Sequence, residues 1–381
     1  MRIDKVKIYK ISLPFLMDFP HFLSKGASAD NIVVEVIADG GKIKGYGEGT
    51  PRKHVSGESQ QEAVENIGHL VRKDSFPWEL AEVSDIWNFV DELPDEKRYN
   101  PAICALETAL LDALGKARER SIIDFFSHAF LASKIYYGGA IPIGDNREIM
   151  EFCRLFEKMK INKLKLKMGK IFETNQEALK ILNQVYGHDC DLKIDVNGAW
   201  NDELALKHIP LLRKYQVRVV EQPMMPDDPT LAKFAEATED SAIILMADES
   251  ACSFRDIERI VDEGYYKMIN IRLSKLGGFR KSIKVIEYLR KENLSFQIGC
   301  HLGESGILSA AGRALSLLCR DSLYYDGSYD RLLLKKNITR ENVSFGLSGE
   351  AGPLNGPGLG VGINEQNLEQ LSIKPIHLIE R

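Results

Sequence analysis

A chain of 381 residues, 44% hydrophobic and 28% charged with a net charge of −5, is long enough for more than one hydrophobic core and has no basic excess. That balance argues against nucleic acid or an acidic membrane face as a partner. No apolar stretch approaches the roughly 18 residues of a membrane span, and the opening MRIDKVKIYKISLPF alternates like a strand, so a cytoplasmic protein is expected. Cys104, Cys153, Cys190, Cys252, Cys300 and Cys319 include no CxxC pair, which argues against a disulfide framework or a zinc site and for reduced, mostly buried thiols.

Residues 1–130 read as an α+β domain. DNIVVEVIAD and GKIKGYGEGTP are paired strands with Gly-rich turns, and ESQQEAVENIGHLVRK and ICALETALLDALGKARE carry helical spacing. Over 131–335 the texture changes to short β-rich runs, each followed by an amphipathic helix: YYGGAIPI, KLKLKM, LKIDVN, VRVVEQP, AIILMADES, YKMINIRLSK, LSFQIGCHL and SLYYDGS. Alternation of this kind in a single run predicts a (β/α) barrel. Thr174 with Glu177, and Ser253 with Asp256, are spaced as helix capping boxes. Residues 336–381, rich in Gly and polar side chains, hold no further βα unit and are expected to return to the first domain.

The stretch KLKLKMGK puts Lys163, Lys165 and Lys167 on one face of a strand and Leu164, Leu166 and Met168 on the other. An edge strand with a wet side would also produce that pattern. The spacing decides between them. From Lys167, charged residues at strand ends recur at Asp195, Glu221, Asp248 and Lys275, intervals of 28, 26, 27 and 27, the length of one βα unit. In a parallel barrel all strand ends share one rim, so the five side chains converge on one mouth. Asp195, Glu221 and Asp248 offer hard oxygen ligands suited to Mg²⁺ or Mn²⁺, with a structural ion-pair cluster as the alternative. A lysine beside a divalent cation, a second lysine and a low-dielectric wall loses its proton more readily, which would let Lys167 or Lys275 act as a base, with Lys165 pushing Lys167 further that way.

The set K-x-K (Lys165, Lys167), D-x-N (Asp195, Asn197), EQP (Glu221 to Pro223), DES (Asp248 to Ser250) and KLGG (Lys275 to Gly278) resembles the enolase superfamily, in particular its muconate-lactonizing-enzyme subgroup. GYGEGTPR, ALETALLDALGK and PLNGPGLGV are similar to that subgroup's capping domain, connecting helix and C-terminal return. The resemblance implies a modified TIM barrel with an α+β N-terminal capping domain. It also implies Mg²⁺ on Asp195, Glu221 and Asp248, and a lysine that removes the α-proton of a small carboxylate substrate to give a metal-stabilised enediolate. Lys167 and Lys275 would serve opposite faces, Lys165 would be an auxiliary cation, and the chain would be a homo-oligomer. A racemase, epimerase or cycloisomerase is the expected activity, with a syn-dehydratase of the o-succinylbenzoate synthase type as the alternative. Remoter readings are a Schiff-base lyase and a non-catalytic binding barrel.

Specificity is expected from the later strands and the capping loops. Asn197, His301, Glu304, Ser305 and Asp326 are substrate-contact candidates, with an N-cap as the alternative role for Ser305. YYDGSYD lacks the Asp-x-Asp pair that dipeptide epimerases of the subgroup use to hold an ammonium group. Phe19, His21, Arg52 and His54 lie in the two loops, 18–28 and 51–59, expected to cover the mouth.

Overall fold

A computed structural model describes residues 1–16 and 28–381. The strand Ile3–Pro14 lies between Ser28–Ala38 and Ser372–Glu380, and Ile43–Gly49 completes an antiparallel sheet of four. The returning C-terminal segment is thus stitched to the first strand. The hairpin between the second and third strands turns at Asp39, Gly40 and Gly41, all at positive φ.

The sequence GYGEG explains what covers this sheet. Gly45, Gly47 and Gly49 recur every second residue, so all three face one way, and a Cβ on any of them would collide with the backbone at Ala109, Ala105 and Pro101 in turn. Those three positions are spaced by four along the helix Asn100–Ala117, which is buried over nearly its whole length. Strand period two and helix repeat four therefore mesh, and the helix axis comes closer to the sheet than any side chain would allow.

The second sheet has eight parallel strands in sequence order: Gly139–Ile141, Lys163–Lys167, Asp191–Asp195, Val219–Glu221, Ile244–Ala247, Met268–Ile271, Ser295–Ile298 and Tyr324–Tyr325. Helices follow the first seven, among them Asn146–Lys158, Phe172–Tyr186 and Phe254–Glu263. The first and eighth strands share no ladder, and the seam between them is bridged by the Gly138 N–H donating to Tyr325 O at 2.9 Å. Inside, Val219, Met246, Met268 and Tyr324 form an apolar floor.

Three local expectations are corrected. Lys275 does not end a strand, because the sixth strand stops at Ile271 and Leu273–Leu276 form one helical turn, closed by Gly277 and Gly278 at φ 87° and 98°. Thr174 and Glu177 form no capping box. The helix begins at Phe172, because Asn175 accepts from the Gly169 N–H at 2.9 Å and donates to Gly169 O at 2.8 Å, fastening the preceding loop to the first turn. Ser253 does cap its helix, accepting from the Asp256 N–H at 3.1 Å, but without the reciprocal half of a box. The six cysteines are unpaired, four of them buried, and among the described residues no helix is long and apolar enough to cross a membrane.

Candidate active site

Register assembles the site. Lys167 pairs with Asp195 and Asp195 with Glu221 across three neighbouring strands, so their side chains stand side by side at the rim, and Asp248 follows directly after the fifth strand. One layer deeper, Ala140, Lys165 and Lys193 form the corresponding row. Asp195, Glu221 and Asp248 are all buried, and such a trio stays ionised only among cations.

Four cations surround them. Lys165 Nζ lies 3.3 Å from Glu221 Oε2, 3.9 Å from Asp195 Oδ2 and 2.9 Å from Asp326 Oδ2. Burial works against the Lys165 charge, but Asp326, Glu221 and Asp195 outweigh it and hold its pKa well above the ordinary lysine value. Lys167 Nζ donates to Asn197 Oδ1 at 2.8 Å and Asp195 Oδ2 at 3.1 Å. Lys275 Nζ donates to Asp248 O at 2.8 Å, Asp248 Oδ1 at 3.0 Å and Asn270 O at 2.6 Å. Burial, reinforced by the Arg272 guanidinium, lowers Lys275 to about 8. Arg272 itself pairs with Asp248 Oδ2 and stands 3.7 Å from Glu221 Oε1.

The acids are oriented by their neighbours. Asn270 Nδ2 donates to Glu221 Oε1 at 2.6 Å, and Gln222 Oε1 accepts from the N–H groups of Asp248 and Ser250 at 3.0 and 3.1 Å. Asn197 bridges Lys167 to Glu249, donating to Glu249 Oε1 at 3.0 Å. The donor set fits a hard divalent cation: every ligand atom offered is an oxygen, and beside them Glu249 Oε2 is buried without a hydrogen bond. Among the described residues the carboxylates do not converge as a three-ligand cluster, because their oxygens are turned to lysine and arginine.

Two cavities meet at this rim. One, of about 320 Å³, reaches Lys165, Lys167, Asp195, Arg272, His301 and Asp326. The other, of about 350 Å³, lies under the capping domain against Arg52, His54, Glu58, Glu249, Arg272 and His301. Lys275 is among the lining residues of neither. His301 is buried with no hydrogen bond to Nδ1, which stands 3.8 Å from Glu304 Oε1, and burial, with Arg272 and Arg52 nearby, depresses its pKa far below the usual histidine value. Its backbone N–H donates to Glu304 Oε1 at 2.7 Å, and burial pushes the Glu304 carboxyl up to about 8.

Other candidates have structural duties. Ser305 caps the helix Gly306–Leu317, and its hydroxyl donates to Glu48 Oε2 at 2.6 Å. Glu48 also accepts from Asn31, so this buried acid from GYGEG ties the capping sheet to a barrel helix. Arg52 is clamped to Asp30 O, Pro51 O, Asn31 Oδ1 and Leu302 O. Phe19 and His21 lie outside the described residues. Sequence reasoning passed over Lys193 and Arg272. Lys193 stands two residues before Asp195, the spacing that singled out Lys165 before Lys167, so its inward face was readable. Arg272, three residues before Lys275, carried no comparable signal.

A capping sheet on a (β/α) barrel, with acids on three successive strands and lysines on either side, defines a member of the enolase superfamily. Residues 148–367 match the family described as Enolase C-terminal domain-like, and the chain belongs to it. The chain is 26% identical to the hydrophobic dipeptide epimerase of Enterococcus faecalis, over 97% of each chain. Its fold is shared with the N-succinyl Arg/Lys racemase of Bacillus cereus, at a TM-score of 0.89 and 23% identity over 100% of both chains. It is shared too with a dipeptide epimerase of Cytophaga hutchinsonii complexed with Mg and D-Ala-L-Val, at 0.84 and 22% identity over 100% of this chain and 99% of that one.

Proposed function

We propose that this enolase-superfamily isomerase is a Mg²⁺-dependent racemase or epimerase that removes and returns the proton on the carbon beside a substrate carboxylate. Asp195, Glu221 and Asp248 would hold the metal, and Lys167 and Lys275 would handle the proton on opposite faces of that carbon. The observation that supports this most directly is the order of charges, a lysine at the second strand, acids at the third, fourth and fifth, and a lysine just past the sixth. When bound, the cation supplies electrophilic stabilisation of the charge that develops on the carboxylate as the proton leaves.

The chain's own groups do the rest. Lys165, kept cationic by its acid partners, adds positive charge beside the carboxylate. Asn197 holds Lys167 by its ammonium and so fixes the direction from which a proton is taken or given. Burial brings Lys275 into the range where it can exchange a proton near neutral pH. The second reading is a one-base reaction, a cycloisomerisation or dehydration in which Lys275 is an electrostatic partner. Its three hydrogen bonds and its absence from both cavity walls favour that reading.

The test is a pooled set of dipeptides, N-succinyl amino acids and N-acyl amino acids incubated with the protein and Mg²⁺ in D₂O. Mass spectrometry should show deuterium at the α-carbon, chiral chromatography should show inversion, and both should stop with EDTA and return with Mg²⁺. Exchange without inversion would select the one-base reading. A protein that binds Mg²⁺ and exchanges no α-proton in the pool would refute both.

A further inference from the structure

The cavity that reaches the lysines does not end at the rim. It continues between the first and eighth βα units, where the barrel seam is bridged by the Gly138–Tyr325 hydrogen bond. Its outer wall is apolar: Phe152, Leu155 and Phe156 from the helix Asn146–Lys158, with Tyr329, Leu332 and Leu333 from the segment after the eighth strand. Soluble proteins seldom leave such a surface lining a cavity without an occupant.

Charge narrows the occupant further. The acidic groups on the described lining are Asp195, Asp326 and Glu151. Asp195 lies between Lys167 at 3.1 Å and Lys165 at 3.9 Å and is one of the acids that would hold the metal. Asp326, 4% exposed, receives Lys165 at 2.9 Å on Oδ2 and Lys193 at 3.2 Å on both oxygens. Lys193 is itself buried, against Gln297 and over the Tyr324 ring at 4.4 Å. Two fixed ammonium groups therefore already satisfy the carboxylate that would otherwise greet a substrate cation. Glu151 is a solvent-facing residue, 3.8 Å from Arg147. An ammonium entering this cavity would lose its water and, among the described lining residues, meet only the solvent-exposed Glu151 as a carboxylate not already held by buried lysines, whereas an apolar chain would lose only unfavourable hydration.

We infer that this seam cavity is an apolar subsite that takes an uncharged chain or acyl group attached to the substrate carboxylate, and that it rejects a free ammonium. The inference rests on the reading that a substrate carboxylate sits at the lysine and acid cluster, and it deepens that reading. The substrate class it selects is a carboxylate with a neutral apolar extension, such as an N-acyl amino acid, over a dipeptide with a free amino terminus.

The test is calorimetric titration of the Mg²⁺-loaded protein with acetate, butyrate, hexanoate, octanoate and 6-aminohexanoate. Affinity should rise about four-fold per added methylene until the cavity is filled, and 6-aminohexanoate should bind at least about ten-fold more weakly than hexanoate. Leu155→Asp and Leu332→Asp should each flatten the series. Leu155 is 39% exposed and Leu332 is on a separate element, so the two substitutions probe the wall independently. A flat series in the natural protein, an unchanged series in both variants, or tighter binding of 6-aminohexanoate than of hexanoate would overturn the inference. Because binding is read without turnover, a rising series in a protein that exchanges no α-proton would refute the isomerase reading and leave the subsite standing. Proton exchange with a flat series would do the reverse.

Discussion

Replacing Asp326 by Asn tests whether the barrel interior is organised around this carboxylate. Burial opposes its ionisation, yet the ammonium groups of Lys165 and Lys193 outweigh burial and hold it below the ordinary carboxylate range. The amide keeps the shape and one acceptor but removes the charge. Lys165 then retains Glu221 at 3.3 Å and Asp195 at 3.9 Å, so the greater loss falls on Lys193. That ammonium is 1% exposed and, among the described residues, keeps only uncharged direct partners, the remaining amide oxygen, Gln297 and the face of Tyr324. Removing one partner of a buried pair costs about 3–5 kcal/mol, and the surviving contacts of Lys165 place this case near the lower bound, at about 3 kcal/mol. With a urea dependence of about 3 kcal/mol per molar, the unfolding midpoint followed by circular dichroism should fall by about 1 M. Adding Lys193→Met to Asp326→Asn removes the stranded ammonium and should recover about half of the loss, a coupling that neither single substitution can show. A loss below about 1 kcal/mol in the single variant, or no recovery in the double, would refute the argument. Either result would mean that Lys193 is hydrated or neutral without its partner.

Further outcomes follow from other parts of the molecule. Glu58 is buried, and burial, with Glu62 adding to it against the opposing Asn66 hydrogen bond, raises its carboxyl to about 8. Its neutral form is favoured in the folded chain. Stability should therefore decline as pH rises from about 4.5 to about 8, and Glu58→Gln should remove that decline, gaining on the order of 2 kcal/mol at pH 9 and little at pH 4, measured as melting temperature at each pH. Gly47→Ala would drive a methyl into the backbone at Ala105 and Ala109 and should cost about 1–3 kcal/mol in denaturant unfolding. With a substrate found in the D₂O pool, Lys167→Ala and Lys275→Ala should each abolish inversion while sparing exchange on one face. Lys167→Arg should be nearly as damaging as Lys167→Ala, because a guanidinium keeps the charge but does not act as a base near neutral pH. Wild-type exchange on both faces in Lys275→Ala would remove that residue from the proton path.

What could be read from the sequence, and what could not, divides along a physical line. The period of two along a strand and the repeat of one βα unit are local rules, and from them alone Lys167, Asp195 and Glu221 fall at one rim with Lys165 on the same face one layer deeper. Gly45, Gly47 and Gly49 read in the sequence only as a strand with Gly-rich turns, and their contact with Pro101, Ala105 and Ala109 emerges in the fold because the two segments are distant along the chain. Lys275 was located but its element was not, because paired glycines at positive φ end a helical turn that an apolar run had disguised as strand. The largest omission has a different origin. Lys193 and Asp326 are 133 positions apart and meet because the third and eighth strands face one interior, so no spacing rule connects them. Their pairing changes what the site can accept. Asp326 alone, read from YYDGSYD, is an invitation to a substrate cation; Asp326 between two lysines is a closed account of charge, and the apolar wall beside it becomes the feature that chooses the ligand.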